Sequence, residues 1–337
     1  MLEMIAAMPG HLEEGILIGR QAELKGLEQE TFQNIILTGM GGSAIGGDII
    51  RSCLGDELRI PMAVNRNYRL PGYIGKKTLV VCSSYSGNTE ETIAAFHDAV
   101  KRGAKILVIT TGGTLGELAR ENGIPLVKIK PGLPPRAALG YSVAPLLLIF
   151  FRLGLCRSFE EDLGETIIAM KRGVQKYAPT AETNPAWELA RKLKDKLIII
   201  YSGYERIEAV ALRMKGQICE NAKLPAYVNQ FPELNHNELV GWQKPNLEYG
   251  KFAAVILKDR DDHKRTAAGA EIVSRYLADK GIEITGMQSE GESQLERMFS
   301  LIQAADFTSY YLALLNEVDP YPVGPIDYLK ENLKKIN

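Results

Sequence analysis

Short apolar runs alternate with stretches of helical periodicity along the first 130 residues of the chain. The runs have the length of β-strands and occupy residues 35–37, 62–65, 79–83, 105–110 and 126–129. The helical patterns occupy residues 12–30, 44–54, 90–102 and 115–121. Strands that alternate with helices in this way predict an α/β fold with a mostly parallel sheet and helices on both faces.

A second series of the same kind follows in the later part of the chain. Its strands are predicted at 196–201, 252–257 and 282–285, and the residues Ser202-Gly203 are expected to end the first of them. Its helices are predicted at 206–222, 263–280, 294–317 and 326–334. The chain therefore divides into two α/β domains, residues 1–150 and 151–337.

The connection between the two series is predicted to be helical, from residue 138 to about residue 190. It is preceded by residues 131–136, where closely spaced prolines remove backbone donors and fix φ, so that a stiff loop and no helix is expected. No low-complexity linker separates the halves. We therefore expect them to be packed against each other.

Composition excludes several classes of protein. A length of 337 residues favours two domains, and 45% hydrophobic with 24% charged residues is typical of soluble globular proteins. The net charge of −1 gives no reason to expect nucleic acid or an anionic membrane as a partner. No apolar run is long enough to span a bilayer. The four cysteines are scattered without a CxxC motif, which favours a reducing compartment and predicts a cytoplasmic protein.

Two loops rich in glycine and hydroxyl groups follow the first and third predicted strands. They span residues 39–47 and 83–92, each directly before a predicted helix. Backbone N–H groups, hydroxyl donors and a helix N-terminus together form a binding site for phosphate. Neither loop contains lysine, which suits a small phosphorylated metabolite better than a nucleoside triphosphate. The candidate phosphate ligands are Gly42, Ser43, Ser84, Ser86 and Thr89.

Other interpretations of these loops exist. Residues 39–44 also fit a dinucleotide-binding fingerprint, but that fingerprint requires an acidic residue near the end of the second strand, and residues 63–67 contain none. Ser86 and Thr89 taken singly are ordinary turn and helix-cap residues. The coincidence of two such loops favours phosphate, and no organic cofactor is expected. The four histidines are too dispersed for a zinc site.

Several motifs resemble those of known sugar-phosphate enzymes. Residues 41–43 and 83–92 are similar to the phosphosugar-binding loops of sugar isomerase (SIS) domains. Residues 134–136, 220–223, 232–238 and 319–320 resemble, in this order, the bifunctional phosphoglucose/phosphomannose isomerases of archaea and bacteria. The resemblance runs over nearly the whole chain. It implies two SIS-type three-layer α-β-α domains, each built around a mostly parallel sheet.

The resemblance also implies a reaction and roles for single residues. The reaction is the interconversion of glucose 6-phosphate, and of mannose 6-phosphate, with fructose 6-phosphate through a cis-enediol, without metal or cofactor. The implied roles are a catalytic base, Glu220, a stabiliser of the enediolate, Arg136, a ring-opening residue, His236, and a lysine near the active site, Lys330. A homodimer with composite active sites is implied, in which His236 reaches into the neighbour's site.

The chemistry of these residue types agrees with that reaction. One carboxylate can carry a proton between adjacent carbons, an arginine is a fixed cation for the enediolate oxygen, and a histidine titrates near neutrality. Each residue also has a simpler interpretation. Glu220 could pair with Lys223 on a helix surface, Arg136 could lie in a solvated loop, and His236 could be an ordinary loop imidazole.

Two other functions remain open at this point. SIS domains also serve as non-catalytic phosphosugar sensors, which usually carry an effector domain, and no helix-turn-helix fits before residue 35. Other SIS enzymes act on aminosugar phosphates. Synthases of that kind carry a glutamine-hydrolysing domain with a nucleophilic N-terminal cysteine, and this sequence has no cysteine before Cys53.

Overall fold

The computed structural model of the chain describes residues 1–204 and 206–336 and contains nine strands and thirteen α-helices within them. The strands are β1 Asn34–Thr38, β2 Met62–Asn65, β3 Thr78–Ser83, β4 Lys105–Thr110, β5 Leu126–Lys128, β6 Leu197–Gly203, β7 Ala226–Phe231, β8 Phe252–Lys258 and β9 Glu283–Gln288. The helices are α1 Leu2–Ala6, α2 Met8–Gln21, α3 Gly41–Cys53, α4 Glu90–Lys101, α5 Gly113–Glu121, α6 Gly140–Arg152, α7 Glu160–Lys176, α8 Pro185–Leu193, α9 Glu208–Gln217, α10 Glu238–Gly241, α11 Lys264–Ala278, α12 Gln294–Leu315 and α13 Gly324–Leu333.

The strands form two entirely parallel sheets. The first has the order β2-β1-β3-β4-β5, and Leu37 at its centre lies in register with Val64 and Val81. The second has four strands in the order β7-β6-β8-β9. Both orders place the first strand of each series inside its sheet, so that the later strands are added on both sides of it. The predicted α/β class with two parallel sheets is confirmed.

One hydrophobic core lies between the two sheets and is shared by them. Successive side chains of a strand point to opposite faces, so each buried strand serves two layers. In β3, Leu79 and Val81 face the shared core, whereas Val80 and Cys82 face α4 and α5. In β6 the same alternation sends Ile200 into the shared core and its neighbours toward α11. Helices α3, α6, α9 and α12 fill the space between the sheets.

The first predicted helix, residues 12–30, is wrong in extent. Helix α2 begins at Met8 and ends at Gln21, and the chain then turns through Gly26, which has a φ of 83°. Leu24 and Leu27 are buried nevertheless, because the turn folds back onto the core. Their apolar periodicity reflects burial of a loop and not a continuing helix.

Strand β7 is absent from the prediction made from the sequence. It is an edge strand that pairs only with β6, and its middle residues Asn229 and Gln230 are polar, so no apolar run indicates it. The expected break at Ser202-Gly203 is also wrong, because β6 continues to Gly203. A side chain at Gly203 would lie 2.6 Å from the Asp262 carboxylate, which explains why glycine occurs there.

The proline-rich segment before α6 is not entirely irregular, as had been expected. Residues Pro135–Ala137 form one turn of 3₁₀-helix with Pro135 in its first position, where the missing N–H group is not needed. Of the helices in the described residues, none combines the length and the apolar character needed to cross a membrane. In the same residues no three His, Cys, Asp or Glu side chains form a group that could hold a metal ion.

Candidate functional site

Arg136 lies on the 3₁₀ turn after the first sheet and is almost completely buried, with 4% of its surface exposed. Its guanidinium group reaches across to the second half of the chain, where Nη1 donates to Oε2 of Glu220 at 3.4 Å. Burial lowers the pKa of Arg136, and the charge of Glu220 opposes this shift. The interpretation of Arg136 as a solvated loop residue is therefore wrong.

Three further acceptors fix the guanidinium group. Nε donates to Oδ1 of Asn221 at 2.8 Å, and Nη2 donates to the carbonyl oxygens of Pro320 and Tyr321 at 2.7 and 2.8 Å. Polar groups of two separate segments, 220–221 and 320–321, thus compensate for the burial of this charge. The arginine is held in one orientation by residues far from it in sequence.

Glu220 lies where α9 changes its winding. The α-helix ends at Gln217, and the next turn, Ile218–Ala222, is π-helical. Such turns contain one extra residue and are frequent at functional sites. The predicted single helix over 206–222 is therefore divided. The carboxylate of Glu220 is about one-third exposed, with 32% of its side-chain surface accessible, so a substrate can reach it while Arg136 stays buried.

Lys223 ends the π-helical turn in the left-handed conformation, with a φ of 57°. Its ammonium group donates to the backbone oxygen of Glu220 at 2.5 Å and to that of Pro322 at 2.7 Å. Burial lowers the pKa of Lys223, and the nearby charge of Arg136 lowers it further. The alternative that Glu220 pairs with Lys223 is wrong, because the bond goes to the backbone and not to the carboxylate.

The backbone of the arginine turn is held by a buried ion pair between α9 and α12. Arg213 and Asp306 form this pair, with N–O distances of 2.5 and 3.1 Å. Burial raises the pKa of Asp306, and Arg213 opposes that shift. The same guanidinium group donates to the backbone oxygen of Arg136 at 3.0 Å. Helix α12 thus positions the turn.

The first hydroxyl-rich loop contacts the arginine turn directly. It connects β1 to α3, and a Cβ atom at Gly42 would lie 2.6 Å from the backbone oxygen of Pro135. Ser43 is buried on the first turn of α3, and its hydroxyl accepts a hydrogen bond from the backbone N–H of Tyr85 at 3.1 Å. The two loops that were predicted to form one site therefore lie side by side, next to Arg136.

The second loop, between β3 and α4, is ordered by its own hydroxyl groups. The hydroxyls of Ser84 and Thr89 are 2.9 Å apart, and Ser84 also accepts from the backbone N–H of Gly87. Ser86 is exposed and accepts from the backbone N–H of Asn88 at 3.2 Å. Thr89 is the N-cap residue of α4. Three of the predicted phosphate ligands, Ser84, Ser86 and Thr89, thus lie at or directly before the N-terminus of α4.

His236 and Lys330 lie apart from this group. His236 is exposed at the end of a 3₁₀ turn, Glu233–His236, that follows β7, and Lys330 is exposed on α13. Within residues 1–204 and 206–336 of this chain, neither side chain forms a hydrogen bond or ion pair with Arg136 or Glu220. The structure therefore brings together two of the four predicted catalytic residues, and the roles of His236 and Lys330 stay predictions.

The sequence analysis missed the residues that support the pair. Asn221, Lys223 and Tyr321 occur inside or next to motifs that had been noted, 220–223 and 319–320. No role had been given to Asn221 or Tyr321, and Lys223 had been considered only as an ion-pair partner of Glu220. Arg213 and Asp306 have no sequence signal beyond being charged residues with an apolar neighbour on each side. Such a pattern indicates a buried polar contact without identifying the partner.

Comparisons with known proteins identify similar sequences along the chain. Residues 182–333 match the family model of the bacterial phospho-glucose isomerase C-terminal SIS domain. A bifunctional phosphoglucose/phosphomannose isomerase from Caldicellulosiruptor bescii is 45% identical over 338 residues, covering 100% of this chain and 99% of that protein. Another protein of that name, from Aquifex aeolicus, is 36% identical over 305 residues, covering 90% and 91%.

The fold is also similar to that of solved structures. A hypothetical protein from Thermus thermophilus superposes with a TM-score of 0.77 at 17% identity, covering 99% of this chain and 90% of that one. At so low an identity the likeness concerns the fold alone. It shows that the arrangement of both sheets and their helices occurs in another protein of similar length.

Proposed function

Because this chain belongs to the family of bifunctional phosphoglucose/phosphomannose isomerases, we propose that its reaction takes place at the pair Arg136 and Glu220. The protein is an aldose–ketose isomerase acting on glucose 6-phosphate and mannose 6-phosphate, with fructose 6-phosphate as the common ketose. The observation that carries the assignment is the contact between a buried guanidinium and an accessible carboxylate, 3.4 Å apart, beside two phosphate-type loops.

In the proposed mechanism, Glu220 takes the proton from C2 of the open-chain aldose and returns it to C1, while the hydroxyl proton of O2 passes to O1. As the C1–C2 double bond forms, negative charge develops on the oxygen atoms, and Arg136 stabilises it with an N–H group that cannot lose its proton at neutral pH. No step of this mechanism requires a metal or an organic cofactor. Rotation about the C2–C3 bond of the enediol lets one base serve both C2 epimers.

The phosphate group is proposed to bind at the two hydroxyl-rich loops. Ser43, Ser84, Ser86 and Thr89 supply hydroxyls, and the backbone at Gly42 supplies an N–H group at the start of α3. The contact of Gly42 with Pro135 supports this placement, because it holds the loop against the turn that carries Arg136. A phosphate bound there lies beside the proton-transfer pair.

Ring opening is assigned to His236 of a second copy of the chain, in a homodimer with composite sites. The exposure of His236, and its lack of contacts with the Arg136–Glu220 pair in the described part of its own chain, support this assignment. Lys330 is proposed to approach the substrate from α13, which follows the segment bound by Arg136. Glucose 6-phosphate and fructose 6-phosphate are intermediates of glycolysis and gluconeogenesis, so a cytoplasmic enzyme of these pathways is proposed.

Replacement of the base tests the proposal. We expect Glu220→Gln to lower kcat by on the order of 10²–10⁴, because an amide cannot accept the substrate proton. Binding of a hexose phosphate should persist, since Gln can still accept the bond from Arg136. A coupled assay with fructose 6-phosphate measures turnover, and calorimetry measures binding. The matched control is Glu188→Gln on the exposed surface of α8. A Glu220→Gln enzyme with near-normal turnover would contradict the assignment.

A further inference from the structure

Asn221 is completely buried and bonds to two groups through its side-chain amide. Oδ1 accepts from Nε of Arg136 at 2.8 Å, and Nδ2 donates to the hydroxyl of Ser309 at 2.9 Å. The Ser309 hydroxyl in turn donates to the backbone oxygen of Asp306 at 2.7 Å. Because that hydroxyl has only one hydrogen, its oxygen can only accept from Asn221. Helix α12 thus fixes the amide with its oxygen toward the arginine.

The π-helical turn explains how two consecutive residues reach the same guanidinium group. In an α-helix, neighbouring side chains point about 100° apart. The wider turn at Ile218–Ala222 lets Glu220 meet Nη1 of Arg136 while Asn221 meets Nε. The contact on Nε is at the opposite edge of the guanidinium group from the long 3.4 Å contact of Nη1 with Glu220, and together with the contacts on Nη2 it fixes the plane of the group.

Among the described residues, partners are found for all but one of the N–H groups of Arg136, and that one is available to a substrate. Of its five N–H groups, Nε uses one, Nη1 one and Nη2 two for partners in the described residues, and the remaining one is on Nη1, beside Glu220. The direction of that N–H follows from the plane of the guanidinium group. Any tilt of the plane would turn it away from an oxygen bound next to the Glu220 carboxylate.

We propose that Asn221 is a positioning residue, which aims the remaining N–H group of Arg136 at the developing enediolate oxygen. This inference rests on the proposed function, in which Arg136 stabilises that oxygen. Asn221 does not itself touch the substrate, and it acts on the transition state and not on phosphate binding. Its removal is therefore expected to lower kcat and to leave KM nearly unchanged.

The first test compares Asn221→Ala with a matched asparagine variant. Asn316 donates to the backbone oxygen of Ala222 at 3.0 Å. Asn316→Ala therefore removes a bond to the π-helical turn but leaves every bond of Arg136 in place. We expect Asn221→Ala to lower kcat about 10–100-fold, the range for a hydrogen bond to a charged group. KM should change less than about twofold, and Asn316→Ala should keep kcat within about twofold. An unchanged kcat in Asn221→Ala would overturn the inference.

The second test uses binding and needs no turnover. A hydroxamate that mimics the enediolate should bind Asn221→Ala about 10–100-fold more weakly, whereas a hexitol 6-phosphate, which has the phosphate but no carbonyl, should bind as before. In an Arg136→Lys background, Asn221→Ala should not weaken binding of the hydroxamate any further. Equal losses in both backgrounds, or equal losses for both ligands, would overturn the inference.

The outcomes distinguish this inference from the proposed function. If Arg136→Lys alone keeps full kcat and full hydroxamate affinity, the proposed role of Arg136 fails. If Arg136→Lys is impaired and Asn221→Ala is not, only the positioning role fails. Should Asn221→Ala not fold, as a thermal scan would show, Ser309→Ala replaces it. That variant removes the acceptor that orients the amide, together with the bond of the same hydroxyl to the backbone oxygen of Asp306, and it should selectively weaken hydroxamate binding. Unchanged hydroxamate binding in a folded Ser309→Ala would then overturn the inference.

Discussion

Arg136 is the buried cation of the site, and removing its charge from water costs free energy. Arg136 has lost most of its hydration, and the lowered pKa expresses that loss, but an arginine stays protonated at neutral pH even so. A lysine at this position would not be equivalent. It is a point charge that cannot bond Asn221, Glu220 and two carbonyl groups at the same time. The planar fork of arginine is what the surrounding acceptors require.

Hydroxyl groups of the second loop should determine the affinity for the phosphate. We expect Ser86→Ala combined with Thr89→Ala to raise KM for glucose and mannose 6-phosphates by the same factor, because the phosphate is common to both. Each lost bond to a charged group is worth about 1.5–3 kcal/mol, or roughly tenfold or more in affinity. Steady-state kinetics with both substrates measure this. Ser274→Ala, on α11 away from the loops, is the control. An unchanged KM would place the anion elsewhere.

Contacts between loops, more than single side chains, align the phosphate loops with the catalytic pair. The loop after β1 and the turn after β5 meet backbone to backbone, and only a residue without a Cβ atom fits between them. Tyr85 adds a second connection, because its hydroxyl donates to the backbone oxygen of Lys130 and accepts from the N–H of Leu133. The stiff proline segment is thus tied to the second loop as well.

A methyl group added at Gly42, where the loop meets the arginine turn, should disturb the site although Gly42 takes no part in proton transfer. We expect Gly42→Ala to lower the free energy of unfolding by about 1–3 kcal/mol, as overpacking does, and to lower kcat because the turn carrying Arg136 must move. The Cβ atom would lie 2.6 Å from the Pro135 oxygen. Denaturant unfolding and kinetics measure the two effects.

Gly164→Ala is the matched control for this substitution. Gly164 lies inside α7 with no atom within 4 Å of an added Cβ, so alanine should raise stability by up to about 1 kcal/mol and leave kcat unchanged. If Gly42→Ala changed neither the free energy of unfolding nor kcat differently from this control, the close contact with Pro135 would not matter for function.

Prediction from the sequence succeeded for elements whose signal is local. The strands β2 and β4 were predicted to the residue, because continuous apolar runs end at clear turns. It failed for β7, whose polar residues form a strand only because β6 offers an edge, and for the π-helical turn, which depends on contacts with α12 and Arg136. In the site, motif residues were found, and residues defined by distant partners, such as Asn221, were not.

At the scale of the whole molecule, the two halves cannot be treated as separable modules. One face of each sheet packs into the same core. The buried pair Arg213–Asp306 belongs to the second half and supports the turn of Arg136 in the first half. The site likewise combines residues of both halves. The domain division at residue 150 stays a prediction. The structure shows that a boundary there passes through the last turn of α6, whose apolar residues belong to the shared core.

Mixing of inactive chains tests the proposed dimer. Glu220→Gln and His236→Ala chains, refolded together, should recover a minor fraction of wild-type activity, because one site of each heterodimer keeps an intact Glu220, Arg136 and partner histidine. The control mixes Glu220→Gln with Arg136→Lys. These two residues bond within one chain, so neither site is intact and no recovery is expected. Heterodimers of the first pair that form but stay inactive would refute composite sites with His236.

The four bonds of Arg136 have a consequence for the order in which the enzyme becomes active. They join residues separated by 84, 85, 184 and 185 positions in the sequence. At about 5–20 residues per second, the ribosome needs roughly 10–40 s after adding Arg136 to supply its last acceptor. During that interval the residues of the phosphate loops have already been synthesised, whereas Arg136 still lacks hydrogen-bond acceptors that fix its guanidinium group. Catalytic competence is thus among the last properties that the growing polypeptide acquires.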